Sequence, residues 1–98
     1  MEDSKIIDLY LNRDESAISH TADKYGSMLR SASKRITGDA EEAEECVNDT
    51  YLEACNRIPP SKPRDYFPAF LSRIVRNISN EIRSVFMMTG FLKLFEIQ

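Results

Sequence analysis

From residue 18 to residue 36 the apolar positions Ile18, Ala22, Tyr25, Leu29, Ala32 and Ile36 recur at spacings of 4, 3, 4, 3 and 4. That alternation keeps one stripe against a neighbour and predicts an amphipathic helix with a coiled-coil-like seam. Asp14 stands where an N-terminal cap belongs, and Gly38 is a natural stop just past the seam. A second helix is predicted from Asp39, with Glu42 three residues on as its capping-box partner and Ala43, Val47, Thr50, Ala54 and Ile58 as its buried stripe. Pro59, Pro60 and Pro63 end it and force an extended loop.

A third long helix is predicted after Pro68, a residue tolerated in a first helical turn, and runs to about Phe86. Its apolar face is Phe67, Leu71, Ile74, Ile78, Ile82 and Val85. Ahead of all three, Ser4 to Leu11 forms a short helix with Ile6, Ile7 and Tyr10 on one side. The expectation is an all-α protein: a three-helix core bundle with a short leading helix over residues 1–86. An apolar tail, residues 87–98, follows and suits a short extra helix.

Composition agrees with that picture. The chain has 98 residues, 42% hydrophobic and 30% charged, with only three glycines, which suits one small helical domain. Cys46 and Cys55 fall in one predicted helix, nine residues and so roughly 13 Å apart, too far for a disulfide. The charged start, Met-Glu-Asp-Ser-Lys, has no signal-peptide run, and no stretch holds the roughly 20 apolar residues of a bilayer span. A cytoplasmic protein with reduced thiols and no membrane partner is expected.

Charge adds a division that hydropathy does not show. Residues 1–50 carry twelve acids and six bases, whereas residues 51–98 carry four acids and seven bases. Seven acids and no base lie between Asp39 and Glu53, while six bases and two acids lie between Arg57 and Arg83. Two surfaces with different partners are implied. On the last helix Arg73, Arg76, Asn80 and Arg83, spaced 3, 4 and 3, lie opposite the apolar face. Arginines there suit phosphates because each guanidinium is permanently charged and forked; a plain solvated face explains the same spacing. The loop from Arg57 to Phe67 sets Arg57, Lys62 and Arg64 beside Tyr66 and Phe67, charge and flat rings of the kind single-stranded nucleic acid uses. Phe67 is expected instead to staple the start of the last helix into the core, and a plain surface role for Tyr66 competes with stacking.

No catalytic set accompanies these surfaces. His20 has no nucleophile near it in sequence, and neither a phosphate-binding glycine loop nor a metal-ligand spacing occurs. An enzyme is not expected, nor a metal or other cofactor.

Three stretches in order resemble region two of bacterial RNA polymerase sigma factors of the extracytoplasmic-function group. They are Asp14-Glu-Ser-Ala-Ile with Tyr25, then Gly38 through Leu52, then Ile58-Pro-Pro-Ser-Lys-Pro-Arg with Phe70-Leu-Ser-Arg-Ile-Val-Arg-Asn77. The resemblance implies that Glu45, Asn48 and Asp49 bind the clamp helices of the largest subunit of core RNA polymerase. It assigns capture of an unstacked base of the minus-ten promoter element to the segment from Pro59 to Tyr66, with Lys62, Arg64 and Tyr66 as DNA contacts. Arg73, Arg76, Asn77, Asn80 and Arg83 of the last helix would read or hold the same element.

Departures from the family pattern shape the alternatives. Members usually continue into a basic linker and a helix-turn-helix domain, whereas this chain ends in Phe86 to Gln98; Phe70 stands at the usual tryptophan. The tail is expected to fold back over the bundle, with a homodimer contact as its second reading. The function expected is a sigma-like transcription initiation domain. The alternative is an interaction-only regulator or decoy that binds polymerase or an anti-sigma factor without opening a promoter, or else a truncated remnant.

Overall fold

Four helices follow one another: α1 (Asp3–Leu11), α2 (Ser16–Thr37), α3 (Ala40–Arg57) and α4 (Phe67–Ile97). They belong to a computed structural model that describes the backbone of residues 1–97 and the side chains of residues 1–82. The side chains of Arg83, Val85 and the tail therefore lie outside the described residues, as does the homodimer reading of that tail; the expected fold-back is not seen, because the last helix runs to Ile97 without a turn. All the described regular structure is helical, as the periodicity predicts.

Local chemistry sets the helix ends. Asp14 Oδ1 accepts from the Ser16 N–H at 2.9 Å, so the residue expected to cap α2 satisfies its first turn. That hydrogen bond favours the charged carboxylate and holds Asp14 below its ordinary pKa. Gly38 ends α2 at φ 73°, and its N–H donates to the Lys34 carbonyl at 2.8 Å. Only glycine adopts that left-handed conformation without a Cβ penalty. Asp39 caps α3 by accepting from the Glu41 N–H at 2.8 Å. The reciprocal half of the expected capping box is not formed: the Asp39 N–H points to Thr37 Oγ1 at 3.4 Å, in place of the Glu42 carboxylate.

The last helix departs most from expectation. It does not stop near Phe86 but continues to Ile97 as one element. The single glycine on the way, Gly90, costs about 1 kcal/mol against alanine but removes no hydrogen bond, so it weakens the helix without ending it.

Packing builds the core around Phe67. This side chain is fully buried and meets Tyr10 edge-on at 6.1 Å and Tyr25 at 5.8 Å, with Phe70 stacked at 6.4 Å. A buried phenylalanine of this kind stabilises by about 3–5 kcal/mol relative to alanine. Ile6, Ile7 and Tyr10 seat α1, and Ala43, Val47, Thr50, Ala54 and Ile58 are all buried, as the α3 stripe predicts. On α4, Phe67, Leu71 and Ile74 are buried and Ile78 and Ile82 half-buried; Val75 and Ser79, outside the predicted face, are buried as well.

On α2 the buried band is broader than the predicted seam. Leu29 is fully buried, whereas Ile18, Ala22, Tyr25, Ala32 and Ile36 are only half-buried, and Ala17, Thr21, Gly26 and Ser33 join the interior. The helix is packed by α1, α3 and α4 together, and several neighbours cover more of a cylinder than one seam does. Its small polar side chains pay for burial with hydrogen bonds. Thr21 Oγ1 donates to the Ala17 carbonyl at 2.8 Å and so accepts from Tyr10 Oη at 2.7 Å.

Candidate functional site

The two charged surfaces lie on different helices. Helix α3 buries Ala43, Cys46, Val47, Thr50, Tyr51 and Ala54, which turns Glu41, Glu44, Glu45, Asn48 and Asp49 to solvent. Glu45, Asn48 and Asp49 share one face because residues three and four apart are helical neighbours. Of the seven acids between Asp39 and Glu53, Glu53 alone is ion-paired among the described residues, with Arg57 Nε at 2.9 Å. Glu45 and Asp49 present charge that no described base neutralises.

Leu52 was not singled out by periodicity. It is 59% exposed, and at about 100° per residue it lies within roughly 60° of Glu45, Asn48 and Asp49. The face is thus an exposed leucine ringed by acids and an amide. An apolar centre inside a polar rim is the general layout of a protein interface. The signal available in the sequence was a leucine on the wrong side of the α3 stripe.

The second surface begins in the loop before α4. Phe67 is fully buried, so it belongs to the core and is no base-stacking ring. Tyr66 next to it is 54% exposed, and its carbonyl accepts the Phe70 N–H at 2.9 Å. That bond makes Tyr66 the start of the helical spacing. Tyr66, Ala69, Arg73, Arg76 and Asn80 then follow at 3, 4, 3 and 4 and form one stripe, headed by an aromatic ring. Arg73, Arg76, Asn77 and Asn80 are all exposed. A shallow depression of about 430 Å³ is lined by Ala69, Ser72, Arg73, Arg76 and Asn77. A second, of about 540 Å³, lies between α3 and α4 and is lined by Glu53, Arg57, Asn77, Asn80 and Glu81 with two isoleucines.

The loop's basic residues divide. Lys62 is exposed. Arg64 turns towards α1 instead: Nη1 donates to the Ser4 carbonyl at 3.1 Å and to Ser4 Oγ at 2.8 Å, and Nη2 donates to Asp8 Oδ1 at 2.6 Å. Nothing in the local sequence links residues 56 and 60 positions apart. Arg13, equally unforeseen, donates from Nη1 to the Cys55 carbonyl at 2.9 Å and ties the α1–α2 turn to the end of α3. Burial raises the Cys55 thiol above its ordinary pKa, with Arg13 opposing that shift.

Among the described residues no cluster of His, Cys, Asp and Glu side chains is arranged to hold a metal ion, and no helix is long and apolar enough to cross a membrane. The arrangement offers binding: an acidic face with an apolar centre on α3, and a basic and amide stripe on α4.

A family model described as Sigma-70 region 2 matches residues 21–84. No curated protein and no solved structure matches the chain.

Proposed function

The chain belongs to the sigma-70 region 2 family, and from that premise we propose that it acts as a transcription initiation domain. It docks on the clamp helices of core RNA polymerase through Glu45, Asn48, Asp49 and Leu52. It holds the minus-ten promoter element, melted to single strands, through Lys62, Tyr66, Arg73, Arg76, Asn77 and Asn80. One observation carries the reading: unpaired acids and unpaired arginines occupy separate helices of one small bundle.

Each surface suits its partner physically. Uncompensated acids on α3 steer and orient a basic partner, while burial of Leu52 adds apolar contact that charge alone does not supply. On α4 the guanidinium groups serve phosphates, the asparagines can pair with base edges, and the Tyr66 ring can stack on an unstacked base. No covalent step is required. Free energy of binding offsets the cost of unstacking the strand.

The test is binding to the isolated clamp helices of the polymerase, beside the Asp49→Lys variant. Tight binding that the reversal abolishes, with helicity unchanged, is the expected result. Equal binding by both chains would remove the claim for α3.

A second reading, an interaction-only regulator or decoy that occupies polymerase or an anti-sigma factor, is favoured by how few unpaired cations face the DNA. Arg57 and Arg64 are ion-paired, which leaves Lys62, Arg73 and Arg76 as the exposed, unpaired cations of the DNA surface among the described residues. Promoter opening in a reconstituted transcription reaction would exclude it.

A further inference from the structure

Arg64 sits in the middle of the segment proposed to receive an unstacked base, yet its guanidinium faces away from that role. Three hydrogen bonds commit it to α1, two to Ser4 and one to Asp8. Its neighbour Pro63 is buried, whereas Lys62 and Tyr66 on either side of the pair are exposed. The loop is therefore fastened at Pro63 and Arg64 and open to solvent at Lys62 and Tyr66.

The anchor itself is rigid. Helix α1 is held by fully buried Ile6 and Ile7 and by Tyr10. Its start is held by Asp3, which accepts from Lys24 Nζ at 2.7 Å and from Tyr25 Oη at 2.8 Å. A planar arginine fork on a carboxylate and a serine fixes direction as well as distance, which a lysine ammonium would not.

We propose that Ser4 and Asp8 are positioning residues for the promoter-facing loop: by gripping Arg64 they hold residues 59–66 in the shape that receives single-stranded DNA. Arg64 then acts through the loop's geometry and touches no phosphate. The physical gain is preorganisation, since a loop ordered before binding does not lose that freedom on binding. This inference rests on the promoter-binding reading of the loop and α4.

Two measurements on the full chain test it. The first is amide hydrogen exchange of Ser61, Lys62, Arg64, Asp65 and Tyr66 without DNA. The second is affinity for a fluorescein-labelled, mixed-sequence single-stranded DNA over a range of salt concentrations. The chains are wild type, Asp8→Asn, Arg64→Gln, and the swap that combines Asp8→Arg with Arg64→Asp. The single variants should speed exchange of the loop and weaken DNA binding roughly two- to fivefold, the scale of an exposed ion pair. The salt slope should not change, because no phosphate contact is lost. The swap should restore slow exchange and most of the affinity.

A slope reduced by roughly 0.7 in Arg64→Gln, with Asp8→Asn binding as wild type, would show Arg64 on a phosphate and overturn the proposal. So would loop exchange that is the same in all four chains. If wild type binds no single-stranded DNA, the promoter-binding reading fails, and the exchange result still decides whether α1 holds the loop.

Discussion

Ser33 and Ser79, 46 residues apart, join α2 to α4 through hydroxyls 2.7 Å apart in the core. Ser79 Oγ also donates to the Val75 carbonyl at 2.6 Å, so its one proton is committed and Ser33 must donate in the pair. The two serines are therefore unequal. Ser79→Ala leaves the buried Ser33 hydroxyl without that acceptor and should cost about 1–3 kcal/mol, whereas Ser33→Ala removes only a donor and should cost about 0.5–1.5 kcal/mol. Urea denaturation of the two variants checks the order; equal losses would count against the assigned direction.

Alkali should loosen the attachment of α1. Burial pushes the Tyr10 hydroxyl up from 10.0 to about 12. A raised folded-state pKa means that the fold favours the neutral phenol. This contribution is complete below the unfolded value and is lost as pH rises from about 10 to about 12, at about 1.4 kcal/mol per unit of difference. Tyr10→Phe should flatten that part of the stability curve while costing about 1 kcal/mol at neutral pH for the lost hydrogen bond. Thermal unfolding of both chains across pH 8 to 12 measures the difference; parallel curves would reject the role of Tyr10.

Replacing Leu52 with alanine should separate binding from folding. The side chain is largely exposed, so stability should change by less than about 0.5 kcal/mol. Affinity for the clamp helices should fall by about 1–2 kcal/mol, the scale of the apolar burial lost between leucine and alanine. Calorimetric titration supplies one number and chemical denaturation the other. Undiminished affinity would move the binding energy to the surrounding acids alone.

Charge and stacking on the second surface should respond differently to salt. Arg73→Ala should weaken single-stranded DNA binding and lower the dependence of log K on log salt by about 0.7, the value for one phosphate contact on a single strand. Tyr66→Ala should cost about 1–3 kcal/mol with the slope unchanged. Anisotropy titrations from low to moderate salt distinguish the two. Identical slopes in both variants would mean that Arg73 carries no phosphate.

Much of the fold was legible because it is local. Hydrophobic period, the Asp14 and Asp39 caps, the Gly38 stop and the proline run each act within a few residues, and each marked a helix or its end. The predicted stripe of α3 is buried, with Cys46 and Tyr51 beside it, and Glu41, Glu44, Glu45 and Asp49 face solvent, whereas Glu42 and Glu53 are half-buried and Glu53 is paired with Arg57. Local signals fall short at two helix ends. The predicted apolar face of the last helix ends at Val85, yet α4 continues to Ile97, and Glu42 suggests a capping box that α3 does not complete.

The sequence by itself determined that this protein is helical, where three of its four helices start and stop, and that acids and bases sit on different helices. Those properties follow from helical periodicity and from side chains acting on backbone groups close by. Tertiary structure decided which charged groups remain free. Only packing brings Asp8 to Arg64, Arg13 to Cys55 and Ser33 to Ser79, and only packing leaves Leu52 uncovered. Such pairings depend on how whole helices are set against one another across 42 to 56 residues, and no local pattern of hydrophobic and polar residues specifies that register.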